Sequence, residues 1–326
     1  MIQIASCIIN YELTGPIGIF DSGYGGLTIL HEIRQLLPQY DYLYLGDNAR
    51  APYGPRSFEV VYEFTRQAVF KLFSMGCHLV ILACNTASAK ALRSIQQNDL
   101  PLLDHHSSPR PARKDASLSE NTQESRLLPG GFHPPFPPPS KRVLGIIRPT
   151  AEIIGQLTQS RHVGILATEG TIKSQSYQLE IQKFAPDVTV SGVACPFWVP
   201  LVEYNEMDSP GADYFVKKRI DQLLMTDSKI DTIILGCTHY PLLLNKILKY
   251  VPRGVKVIAQ GEYVANSLAD YLRRHPEMEQ RCSKGASCRY LTTENAEKFQ
   301  ESALIFLHEH IDVRTVELEQ ARCSHD

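Results

Sequence analysis

The chain has 326 residues, 43% hydrophobic content and a formal net charge of −2. It can bury one large core or two ordinary ones, and its charge makes no electrostatic case for nucleic acid or an anionic membrane. No apolar run reaches the roughly 20 residues that span a bilayer, and eight cysteines without a repeated short spacing suit free thiols in a reducing cytoplasm better than a disulfide scaffold.

Residues 1–16 read as an N-terminal extension. Ile4-Ala5-Ser6-Cys7 has the form of a lipoprotein cleavage box, but no basic region and too short a stretch precede Cys7, so no lipid anchor is expected. Ile17 to Phe20 reads as a strand, and Asp21-Ser22-Gly23-Tyr24-Gly25-Gly26 as a glycine-rich turn. Leu27, Leu30, Ile33 and Leu37 then have helical spacing, which stops before Pro38. A nucleotide loop fits poorly, because Thr28 stands where the last glycine of G-x-G-x-x-G belongs. Asp21 reads either as a partner for an ammonium group or thiol, with Ser22 donating a hydrogen bond, or as a helix N-cap.

Tyr42 to Leu45 is a second strand, and the polar loop after it ends in Tyr53-Gly54. Ser57 caps a helix with Val61, Phe64, Ala68 and Leu72 on one face. That helix leads to LVILACNTAS at 79–88, an apolar strand that delivers Cys84, Asn85 and Thr86 at its carboxyl end. Strand and helix alternate as in a parallel sheet. Residues 105–140 interrupt the alternation with prolines and polar residues, and they read as a flexible surface insertion.

Beyond the insertion the pattern repeats. Arg142 to Ile147 and His162 to Leu166 read as strands, the second running into a loop over Ala167 to Thr171 that answers the Asp21 to Gly26 turn. Val190 to Ala194 is another strand, and Cys195 to Glu203 takes the place of the loop ending in Gly54. A helix carrying Val216, Ile220 and Leu223 enters TIILGCTHYP at 232–241, which matches the stretch around Cys84 and delivers Cys237, Thr238 and His239. The economical reading is an α/β protein of two pseudo-symmetric lobes, with largely parallel sheets and the active site in the cleft between them.

Two matched thiols facing one carbon suit racemisation, where one base removes a proton and another returns it from the opposite face. Free cysteine has a pKa near ~8.5, so helix N-termini after each strand are expected to lower it. Asp21 near the first thiol, and His239 and Glu203 near the second, are candidate relays or orienting groups. Asn85, Thr86 and Thr238 stand where donors can hold a carboxylate. Cys282 and Cys288 lack the partners of a zinc site, and no metal is expected.

The stretches IGIFDSGYGGL, GDNARAPYG, ACNTAS, CPFWVPLVE and GCTHYPLL together resemble the glutamate racemases of the aspartate/glutamate racemase superfamily. The resemblance implies interconversion of L- and D-glutamate without PLP or metal, in the bacterial cytoplasm, to supply D-glutamate for peptidoglycan. It places the catalytic cysteines on Cys84 and Cys237, and the assisting groups on Asp21, Glu203 and His239. Substrate contacts fall on Asp21, Ser22, Tyr53, Gly54, Asn85, Thr86, Thr238 and His239. It further implies a first lobe of 17–104 plus 261–317, a second lobe of 141–260, a tail of 318–326 and a homodimer. An aspartate racemase, a one-cysteine hydrolase, and an interaction protein such as a gyrase inhibitor acting through the insertion remain the competing readings.

Overall fold

The computed structural model describes residues 14–106 and 141–318. The possible lipid-anchor cysteine Cys7, the body of the proline-rich insertion and the end of the C-terminal tail lie outside the described residues. Among the described residues, ten strands form two sheets. The larger sheet holds β1 (Ile17–Asp21), β2 (Tyr42–Gly46), β3 (Leu79–Leu82), β4 (Arg142–Gly145), β9 (Cys288–Thr292) and β10 (Val313–Thr315) in the order β10-β9-β2-β1-β3-β4. The smaller holds β5 (His162–Ala167), β6 (Thr189–Ala194), β7 (Thr232–Gly236) and β8 (Lys256–Ile258) in the order β6-β5-β7-β8.

All ladders between these strands are parallel. The composition of the central strands accounts for this. β1, β2, β3 and β7 are buried along their whole length and read as continuous apolar runs, as strands covered by helices on both faces must. The order β2-β1-β3-β4 is the same as β6-β5-β7-β8, so the repeat seen in sequence is a repeat of sheet topology, to which β9 and β10 add an edge.

Helix Gly26–Leu36 buries Leu27, Ile29, Leu30 and Ile33, each such side chain worth about 1.5–3 kcal/mol on full burial. Its other face packs on helix Gly261–Arg274, where a side chain at Gly261 would come within 2.5 Å of Glu32 Cγ. Ser57 caps helix Phe58–Ser74 as expected, accepting from the Val60 N–H at 3.3 Å.

The second lobe begins later than residue 141. Val80 and Val143 are register partners, and Val143 joins the buried cluster that holds Val80 and Leu82, so β4 closes the larger sheet. Residues 146 and 147, expected to continue that strand, instead lead into helix Ile147–Leu157. The chain therefore passes between lobes at Ile146 and again between β8 and Gly261. No helix among the described residues is long and apolar enough to cross a membrane.

Candidate active site

In each sheet the central strand has neighbours whose connections leave in different directions, the switch point at which open α/β sheets bind ligands. β1 ends in Asp21, and the pairing of β1 with β3 continues to Ala83, whose N–H donates to the Phe20 carbonyl at 2.7 Å. Cys84 follows. β5 likewise ends at Ala167 beside Gly236, and Cys237 follows. The two thiols thus emerge at equivalent stations of the two lobes. Each is 6% exposed.

Cys84 is the N-cap of helix Asn85–Lys90, its sulfur accepting from the Ala87 N–H at 3.4 Å. The Ser22 hydroxyl lies 3.3 Å from the same sulfur. Burial pushes the Cys84 thiol up to about 12, helped by the Asp21 carboxylate and resisted by the Ser22 and Ala87 hydrogen bonds. The expectation of a thiol lowered by a helix N-terminus is therefore not met. The partial charge of a six-residue helix does not outweigh burial and a neighbouring carboxylate. A smaller contribution to the rise comes from Cys237.

The surroundings of Cys237 differ. No α-helix follows directly; Thr238 and His239 lead into the 3₁₀ turn Tyr240–Leu243. His239 Nδ1 lies 3.8 Å from Cys237 Sγ, and its Nε2 lies 3.0 Å from Glu203 Oε1. Burial opposes a charge on the imidazole, yet hydrogen bonds to Cys237 and Glu203 outweigh it and push the pKa up to about 10. His239 is then an imidazolium at neutral pH, set between a thiol and a carboxylate. Glu203 closes helix Trp198–Glu203, where the sequence suggested a loop.

Asp21 caps no helix; Gly25 holds that position for Gly26–Leu36, without a side-chain bond. Asp21 Oδ2 accepts from the Gly23 N–H at 2.8 Å, and Oδ1 is buried without a partner. Burial raises the carboxyl to about 6 against the pull of His239. A desolvated carboxylate with a spare oxygen is a fit for an ammonium group.

The other expected residues fall around this centre with one qualification. Thr86 shares a 2.9 Å hydrogen bond with Thr168 of the second lobe, and Thr168 a 3.1 Å bond with Thr171. The Thr238 carbonyl accepts from the Thr28 hydroxyl at 3.0 Å, a second bond between lobes. Gly54 faces Thr168, whose Cβ a side chain at Gly54 would approach to 3.2 Å. Tyr53, in contrast, packs its ring between Phe20 and Phe64 and donates its hydroxyl to Asp47. Asn85 is 2% exposed and accepts at Oδ1 from the Tyr177 hydroxyl at 2.7 Å. Sequence reading missed Thr28, Gly25 and Tyr177. Only Thr28 and Gly25 carried a signal, as polar or small residues in the turn after Asp21.

A cavity of about 640 Å³ reaches Ser88 and Lys90, and neither thiol lines it. No group of three or more potential metal ligands occurs among the described residues.

Residues 139–268 match the Asp/Glu/hydantoin racemase family model. A glutamate racemase of Ruegeria sp. (strain TM1040) is 38% identical over 295 residues, covering 90% of this chain and 97% of the relative. One from Shouchella clausii is 36% identical, covering 92% and 93%. Among solved structures, glutamate racemase isoform RacE1 of Bacillus anthracis superposes with a TM-score of 0.75 at 30% identity, covering 94% of this chain and 98% of that one. Glutamate racemase of Francisella tularensis in complex with D-glutamate gives 0.73 at 26% identity, covering 94% and 99%.

Proposed function

The chain belongs to the glutamate racemase family, and from that premise we propose that it interconverts L- and D-glutamate with two cysteines, one removing the α-proton and the other supplying a proton from the opposite face. The observation that carries the reading is the placement of Cys84 and Cys237 at equivalent switch points of the two sheets.

The two thiols have different surroundings. Cys84, with its pKa near 12, is a proton donor at neutral pH. Cys237 faces the His239 imidazolium, which can donate to its sulfur, so it takes the part of the base. Cys237 removes the α-proton and Cys84 supplies one from the opposite face. The next turnover in reverse starts from the exchanged protonation states. Glu203 holds the imidazolium, and Asp21 takes the substrate ammonium. Asn85, Thr86 and Thr238 hold a carboxylate, while the backbone at Tyr53 and Gly54 and the hydroxyl of Ser22 complete the substrate contacts. PLP and metal have no part in this scheme. By the same family premise the product D-glutamate supplies peptidoglycan synthesis.

Proton NMR of the purified protein with L-glutamate in deuterated buffer tests the proposal. Loss of the α-proton signal with appearance of D-glutamate, without added cofactor, supports it. Exchange with aspartate and none with glutamate overturns the substrate assignment. No exchange with either amino acid overturns the reaction.

A further inference from the structure

The start of helix Ser176–Phe184, in the second lobe, docks on the helix that follows Cys84 in the first. The chain reaches it through a left-handed residue, Gln175 with φ 54°, which separates it from helix Glu169–Lys173 and redirects the following side chains. The Ser176 hydroxyl donates to the Ala89 carbonyl at 3.1 Å, and the Tyr177 hydroxyl donates to Asn85 Oδ1 at 2.7 Å. Tyr177 is 1% exposed. Its ring lies against the peptide before the second thiol: a Cβ on Gly236 would stand 3.1 Å from Tyr177 Cε2. One side chain therefore touches both cysteine stations, at the residue after Cys84 and the residue before Cys237.

The amide of Asn85 has two ends. Oδ1 takes the Tyr177 proton, and Nδ2 is buried without a partner. An unpaired buried donor is destabilising, because it has given up water and gained no acceptor. Such a group is preserved at a site where something else supplies its acceptor. Burial, together with the charge of Cys237, holds the Tyr177 phenol well above its usual range, so it stays a protonated donor throughout the working pH. A phenol that must donate selects the oxygen end of the amide and turns the NH₂ end away from itself.

We infer that Tyr177 is a positioning residue for the racemisation, fixing the Asn85 amide across the lobe boundary so that Nδ2 is presented to a substrate carboxylate. The inference rests on the reading of Asn85 as a substrate contact. It gives Tyr177 a role that neither its distance in sequence from the cysteine motifs nor its residue type announces. It also makes the donor conditional on lobe closure, because Asn85 and Tyr177 belong to different lobes.

Tyr177→Phe removes the hydroxyl and keeps the ring. A hydrogen bond to a charged group is worth about 1.5–3 kcal/mol, so loss of the oriented donor raises KM for both glutamate enantiomers by roughly tenfold or more, with kcat changed less. In an Asn85→Ala background the same substitution adds no more than about twofold. Asn85→Asp, which retains an acceptor for Tyr177 but replaces the NH₂ by oxygen, raises KM at least as far and does not depend on how Tyr177→Phe folds. A folded Tyr177→Phe enzyme with wild-type KM, an undiminished Tyr177→Phe effect in the Asn85→Ala background, or an Asn85→Asp enzyme with wild-type KM overturns the inference alone. A wild-type protein without glutamate turnover overturns the racemase reading and this inference with it.

Discussion

The Gly25 backbone stands so close to the His239 ring that a methyl group on its α-carbon would lie 2.4 Å from Nδ1 and 2.3 Å from Thr238 Oγ1. The two residues belong to different lobes, and the gap between them is closed to within one missing carbon.

Gly25→Ala is therefore expected to hold the lobes apart or turn His239 away from Cys237. Activity should fall by at least about a hundredfold, as misplacement by an ångström can cost, with little loss of thermal stability. Steady-state rates set beside a melting curve check this. A fully active alanine variant would mean that the closed contact is not needed for turnover.

The pKa values near 6 for Asp21 and near 10 for His239 set the limits of the charged arrangement. The profile of kcat/KM should fall on the acid side as Asp21 is protonated, and on the alkaline side as His239 loses its proton. Glu203→Gln removes one of the groups that sustain the imidazolium, so it should move the alkaline limb to lower pH. An alkaline limb that stays in place in this variant would remove Glu203 from the network.

Asp21 also has a stability signature. Its folded-state pKa, about 6, is above the ordinary 3.8, so the folded protein binds this proton more tightly than the unfolded chain. The corresponding stabilisation is present below pH 3.8 and lost as pH rises through 6. At neutral pH the buried charge is a cost of roughly 3 kcal/mol by linkage. Asp21→Asn should raise the melting temperature at pH 7.5 relative to wild type, by an amount that shrinks toward pH 4, while activity is lost. Equal shifts at both pH values would contradict the buried-carboxylate assignment.

The cysteines differ in surroundings, and their variants should differ accordingly. Cys84→Ser and Cys237→Ser should each reduce racemisation by about a thousandfold or more. Each should also retain residual α-deuterium exchange with one enantiomer only, of opposite hand in the two variants. Measurement of exchange into L- and D-glutamate separately decides this. Identical loss of binding and of all exchange in both variants would mark two structural cysteines.

Much of the fold was legible because its elements are local. The apolar runs of β3 and β7 are full-length buried strands, and their matched polar ends mark the repeat in the sequence itself. The same reading points to Cys84, Cys237, Asp21 and His239, since each ends or follows a central strand. The boundary of the second lobe was misread because the Arg142–Gly145 run looks alike whichever sheet it joins. Its pairing with β3 spans residues 79 and 142.

The state of the site depended on three dimensions. A helix start after Cys84 is readable in the chain and predicts a lowered thiol, but the burial and the Asp21 carboxylate that raise it come from packing. The Tyr177–Asn85 bond joins positions 92 residues apart on different lobes, and Gly25 meets His239 only because the lobes close on each other. Which residues arrive at the strand ends is set locally, because periodicity and strand termini are properties of neighbouring residues. Their charge and orientation are set by packing, because desolvation and hydrogen-bond geometry depend on groups that the chain brings together from afar.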